Sequence, residues 1–216
     1  MPVTDYFLLW KVTLPSTWIA AIIGFLIAWL AVRKKFGKQV ADMWGDTLFT
    51  IIIVWKLSVI VTDFETVRRA PTAILYFNGG MLGFIAGIAV AALVLYFSRT
   101  PMPHLLKQGL FLGIVFAQAG YQISMAVLND GSLAAKGITI ILFTLLALLV
   151  YRYSGHEELP FTYAIGIFIA AHAFIAAVQP VGFKGIPFPA TVAACVLVFA
   201  IKNRIERRTE LDGGIV

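Results

Sequence analysis

A cation inside an apolar run is the first residue of this chain that could do chemistry. Lys56 stands in Ile51-Ile52-Ile53-Val54-Trp55-Lys56-Leu57-Ser58-Val59-Ile60. A charge at that depth in a bilayer costs roughly 2.5–3.5 kcal/mol on insertion scales, so it faces a cavity or an anionic partner. The plainer alternative is a side chain that snorkels to an interface, with Trp55 as the belt residue. His172, in Ala170-Ala171-His172-Ala173-Phe174, fits either a proton carrier or a hydrogen-bonded packing residue between small neighbours. Phe77-Asn78-Gly79-Gly80-Met81-Leu82-Gly83 opens another apolar run. Its paired glycines permit positive φ, Asn78 can cap a helix, and the amides of a helix start attract an anionic headgroup. Taken alone, the same residues are an ordinary loop-to-helix cap. Gly120-Tyr121-Gln122 and Ser124 put polar groups inside a further run, where such groups commonly act as inter-helix glue.

Other chemistries lack their residues. His104 and His156 fall in polar connecting segments and share no metal-ligand spacing with His172. No intramembrane carboxylate accompanies them, so neither a zinc site nor a carboxylate proton relay has support. Cys195 is the only cysteine. It cannot form an internal disulfide or a CxxC pair, and it reads as a small buried packing residue. Nothing calls for a cofactor.

The elements that must position these residues are membrane spans. The chain has 216 residues, 60% hydrophobic and 13% charged, with a mean hydropathy of +0.90. Soluble domains are nearer half apolar and a quarter charged. A helix needs about 20 apolar residues to cross the hydrocarbon core. Seven stretches qualify or nearly so: 14–32, 46–62, 79–97, 108–128, 137–153, 161–178 and 186–201. The last is short and starts with Pro187 and Pro189, where proline is tolerated. The loops between are brief, leaving a single transmembrane domain with no internal repeat. The first span is not read as a cleaved signal peptide, because its basic cluster follows the apolar region.

Charge sets the orientation. Arg33, Lys34, Lys35 and Lys38 follow the first span, and Lys202, Arg204, Arg207 and Arg208 follow the last. With Arg99, Lys107 and Arg152 they place eleven cations on one side. Lys11, Arg68, Arg69, Lys136 and Lys184 place five on the other. The positive-inside bias predicts an outside N-terminus and a cytoplasmic C-terminus in a bacterial-type cytoplasmic membrane. Basic residues at span ends also meet anionic lipid. No aromatic stacking motif is interleaved with them, which argues against nucleic acid.

In segment order, nearly the whole chain resembles the prolipoprotein diacylglyceryl transferase family. The likeness lies in pattern more than in strict motifs. Trp18 to Lys35 is similar to the family's first helix and its basic exit. Val54-Trp55-Lys56-Leu57-Ser58-Val59 falls where the family carries Gly-Gly-Arg-x-Gly-Tyr, which sets Lys56 on the arginine. Ala73-Ile74-Leu75-Tyr76 and Asn78-Gly79-Gly80-Met81-Leu82-Gly83 resemble the stretch before and through His-Gly-Gly-Leu-x-Gly. The resemblance implies seven spans with N-out and C-in, phosphatidylglycerol as lipid, and a lipoprotein cysteine as acceptor.

The departures carry equal weight. The family's essential His is Asn78 here, and Asn exchanges no proton near neutral pH. The Gly-Arg-x-x-Asn-Phe-x-Asn signature falls on Gly120-Tyr121-Gln122-Ile123-Ser124-Met125-Ala126-Val127, without its arginine. In the sixth helix only His172 is polar where the family has Arg and Glu. Lys is a point charge without the bidentate fork of Arg.

The expectation is therefore an all-α polytopic membrane protein with a diacylglyceryl-transferase-like fold and a degraded catalytic set. It would bind anionic phospholipid through Lys56, Asn78, Gly79, Gly80, Tyr121 and His172, and act in lipoprotein or envelope biogenesis with a lipoprotein precursor or membrane-tethered partner. The alternatives are a non-catalytic scaffold for a secreted or redox protein, and a small transporter resting on Lys56 and His172. The orientation is directly testable. A cysteine placed near Lys38 should be labelled only after the membrane is opened, and labelling from outside intact cells would overturn the assignment.

Overall fold

The computed structural model describes residues 3–9, 12–97, 103–155 and 161–213. Lys11 and Arg99, counted above for orientation, and His156, assigned to a connecting segment, lie outside them. The protein is 85% helical, and among the described residues six helices are long and apolar enough to cross a membrane. It is an all-α, multi-pass membrane protein. After a short hairpin, β1 (Tyr6–Leu9) and β2 (Val12–Pro15), come α1 (Ser16–Phe36) and α2 (Lys38–Leu57). Three short helices follow, α3 (Val59–Thr62), α4 (Phe64–Arg69) and α5 (Ala73–Tyr76). Then come α6 (Gly80–Phe97), α7 (Pro103–Leu128), α8 (Leu133–Tyr153), α9 (Phe161–Val178) and α10 (Pro187–Gly213). The apolar part of α10, Pro187–Asn203, is shorter than the other spans.

Two segments differ from the sequence reading for identifiable reasons. The basic stretch after the first span is helix rather than loop. Arg33, Lys34 and Lys35 occupy the last turn of α1, where cations favour the helix dipole. Gly37, at φ 86°, is the single residue before α2 begins. In its first turn Lys38 reaches Asp42 at 2.7 Å. Likewise α7 starts at Pro103, so His104 stands in a helical turn. A proline at the first helical position is already set in φ.

Helix α7 is the hub. More than half of its apolar window is buried, against a third or less for the other five spans. Its contact with α1 is the most extensive in the molecule, and the two backbones nearly touch. A Cβ on Gly24 would lie 2.6 Å from the Ala117 carbonyl oxygen, and one on Gly120 would lie 2.7 Å from the Gly24 Cα. Further along, Gly109 receives Val40 and Gly113 receives the Trp44 indole, which seats α2 on α7. Between α2 and α6, the Gly79-x-x-x-Gly83-x-x-x-Gly87 face meets Ser58, Trp55 and Ile51. Gly80, next to Gly79 in sequence, is not part of that face. Its φ is 59° and no atom would touch its Cβ, so it shapes the turn instead.

The hairpin is held by one buried amide. Asn129, at the end of α7, accepts bonds at Oδ1 from the Ser16 hydroxyl (2.7 Å), the Thr4 amide (2.9 Å) and the Asp5 amide (3.3 Å). Its Nδ2 donates back to the Met125 carbonyl at 3.0 Å. At the opposite end of the bundle, cations lie over aromatic rings. Lys35 lies over Tyr151 and Lys107 over Phe161, while Lys202 donates to the Thr162 hydroxyl at 3.1 Å.

The α1–α7 crossing has a measurable consequence. Gly24→Leu should destabilise the protein by about 1–3 kcal/mol, the usual range for overpacking, read as a lower thermal midpoint in detergent. Gly137→Ala, where nothing lies within 4 Å of the new Cβ, should stay within about 0.5 kcal/mol. Equal midpoints for the two variants would remove Gly24 from the contact.

Candidate functional site

Helices α7, α8, α9 and α10 enclose a chain of polar side chains that the spacing of the sequence does not reveal. Gln179, just past the end of α9, donates from Nε2 to Gln122 Oε1 on α7 at 3.2 Å and to Thr139 Oγ1 on α8 at 3.0 Å. That bond turns the Gln122 amide so that its Nε2 faces His172 Nε2 on α9, 3.2 Å away. The imidazole therefore accepts at Nε2 and carries its proton on Nδ1, which donates to Thr191 Oγ1 on α10 at 2.9 Å. A neutral ring satisfies both contacts. Edges of Phe143 and Phe188 close around it at 5.1 and 5.5 Å between centroids. His172 is 1% exposed.

A second cluster lies at the end of α2, next to Lys56 in sequence. Trp55 and Ser58, on the face of α2 toward α6, hold the start of that helix. The Gly79 amide donates to the Trp55 carbonyl at 3.1 Å, and the Trp55 indole N–H donates to the Gly80 carbonyl at 2.9 Å. Asn78 accepts the Gly80 amide through Oδ1 at 2.9 Å. Both glycine amides are thus committed within the protein. Lys56 points to the neighbouring face of α2, where its ammonium lies 6.0 Å from the centre of the Trp18 ring on α1. The backbone bonds keep Lys56 and the Asn78 turn at one level of the bundle.

Of the six residues expected to hold lipid, the structure brings Asn78, Gly79 and Gly80 together against Trp55 of α2 and sets Lys56 on the adjoining face, toward α1. It places His172 elsewhere, inside the α7–α10 packing. Tyr121 is half-buried and packs against the small cluster of Ala20, Met125, Ala126 and Ala135, beside the Gly24 crossing. Gln179, Thr139, Thr191 and Asn129 are the polar residues that sequence reasoning passed over. Their only signal was a polar type in or next to an apolar run. A shallow apolar groove of about 420 Å³ runs between α6 and α10, lined by Ala89, Ala92, Leu93, Tyr96, Leu197, Ala200 and Ile201. It touches neither cluster. Among the described residues no three His, Cys, Asp or Glu side chains gather as metal ligands.

No protein-family model matches the chain, and no curated protein or solved structure matches it.

The polar chain should be cooperative. His172→Leu strands the Gln122 amide and the Thr191 hydroxyl, and should cost about 1–3 kcal/mol as buried unpaired groups do. Gln122→Leu combined with His172→Leu should lose less than the sum of the two single changes. Additive losses in detergent melting would show that the two side chains do not bond.

Proposed function

We propose that this protein is a diacylglyceryl-transferase-like membrane protein that holds an anionic phospholipid headgroup at Lys56 and serves lipoprotein or envelope biogenesis by binding rather than by catalysis. The observation that carries the reading is the position of Lys56, half-buried beside Trp18 and level with the Asn78-Gly79-Gly80 turn. A cation at such a place favours an anionic partner, and phosphate is the anion a bilayer supplies most readily. Asn78 stands where the resembling family uses a histidine, and His172 has both nitrogens bonded to neutral partners. Those two features favour a binding role over proton transfer from an acceptor thiol.

Topology belongs to the same proposal. The apolar part of α10 serves as a seventh span, with the N-terminus outside and the C-terminus in the cytoplasm of a bacterial-type membrane. The gathering of Lys35, Lys107 and Lys202 at one end of the bundle supports this orientation. A lipoprotein precursor or a membrane-tethered protein would be the partner on the outer side.

The test is lipid retention. Wild type and Lys56→Met, purified in the same mild detergent, are compared by native mass spectrometry for bound phosphatidylglycerol. The substitution should reduce retention several-fold, and Lys56→Arg should restore it. Equal retention by wild type and Lys56→Met would sink the proposal and leave Lys56 as a snorkelling residue.

A further inference from the structure

The amino-terminal hairpin poses a solvation conflict with one physical solution. Its strands are Tyr6-Phe7-Leu8-Leu9 and Val12-Thr13-Leu14-Pro15, with Tyr6 opposite Pro15, Phe7 opposite Leu14 and Leu8 opposite Thr13. Side chains alternate between the faces of a strand. Tyr6 and Leu8 share a face and are 65% and 72% exposed, whereas Phe7 on the other face is 36% exposed. Such an apolar face is unfavourable in water. A two-stranded ribbon also leaves an unpaired backbone edge on each strand, which the hydrocarbon core does not tolerate. The side chains call for lipid and the edges for water. Only the interfacial zone of the bilayer supplies both.

The attachment of the hairpin fixes it at that height. Pro15 passes into Ser16 of α1 with no linker, and Asn129 clamps Thr4, Asp5 and Ser16 to the end of α7. Trp18, within the first turn of α1 at the same end of the bundle, is 50% exposed. Tyrosine and tryptophan are the residues favoured at membrane interfaces, where an apolar ring and a polar tip meet different surroundings.

We propose that the Tyr6–Leu8 face of this hairpin rests on the interfacial lipid at the end of the bundle that carries the N-terminus, as a fixed peripheral anchor. The occupant of the face is lipid rather than a peptide strand or a second copy of the chain. The inference does not depend on the headgroup reading for Lys56.

The full-length protein in phosphatidylglycerol–phosphatidylcholine nanodiscs tests it. Leu8→Cys and Phe7→Cys each carry an environment-sensitive fluorophore, with labelled wild type as the blank for the buried Cys195. Nitroxide lipids labelled high on the acyl chain should quench the probe at position 8 several-fold more than iodide does. They should also quench it more than the probe at position 7. Tyr6→Cys, on the same face, is the second probe should Leu8→Cys fold poorly. Stronger quenching by iodide at positions 6 and 8 would put the face in water and overturn the proposal. Protection from both quenchers would put a protein chain there, and equal lipid quenching at 6, 7 and 8 would mean the ribbon has no lipid-directed face. Either result would overturn it too.

Discussion

The approach of α1 to α7 is the contact on which the rest of the bundle depends. In lipid there is no hydrophobic force to press one apolar helix against another, because the surrounding chains are as apolar as leucine. Association has to come from close packing and hydrogen bonds. Gly24 and Gly120 remove the side chains that would otherwise separate the two backbones, and the Ala117 carbonyl fills the space. Once α1 lies against α7, the one-residue turn at Gly37 folds α2 back beside both, and Trp44 settles over Gly113. Helix α6 is then placed through α2, by the glycines that meet Ile51, Trp55 and Ser58.

Polar groups obey a second constraint of the same medium. A buried donor or acceptor has no water to turn to, so most bond within their own helix or to a neighbouring one, the side-chain oxygens of Gln108 and Gln118 excepted. Asn129 accepts three bonds at one oxygen, and Gln179 links Gln122 to Thr139. These bonds join elements far apart in the chain. They lie toward the end of the bundle that carries the hairpin, whereas the end that carries Lys35 and Lys107 is packed with Leu110, Phe111, Leu112 and Val150. The first end is tied mainly by buried hydrogen bonds, the second mainly by apolar packing, with the Lys202–Thr162 bond at its surface.

This division bears on what the two candidate ionisable residues can do. His172 has its hydrogen-bonding capacity filled by Gln122 and Thr191 and its faces covered by phenylalanine, an arrangement that fixes helices against one another. Lys56 is half-buried beside the half-exposed Trp18 indole, outside that packing. The two were equally conspicuous as polar residues in apolar runs, yet their surroundings give them different work.

Membrane spans and the single-residue identities within them were legible in the chain, because about twenty apolar residues in a row have few other places to go. The α2–α6 glycine face was legible too, since a spacing of four keeps residues on one side of a helix. The α1–α7 crossing was not, because Gly24 and Gly120 are far apart in sequence and only their meeting makes either unusual. The hairpin was missed because its first strand, Tyr6–Leu9, is apolar at every position and hides the alternation that marks a half-buried strand. The basic stretch after α1 read as a loop, since charge shows where a span leaves the membrane and not where its helix stops. By itself the sequence determined which segments enter lipid, because transfer from water depends on composition. Only the tertiary structure decided that His172 bonds to Gln122 while Lys56 lies beside Trp18, because in a medium without water a polar group's role is set by whichever helix packs next to it.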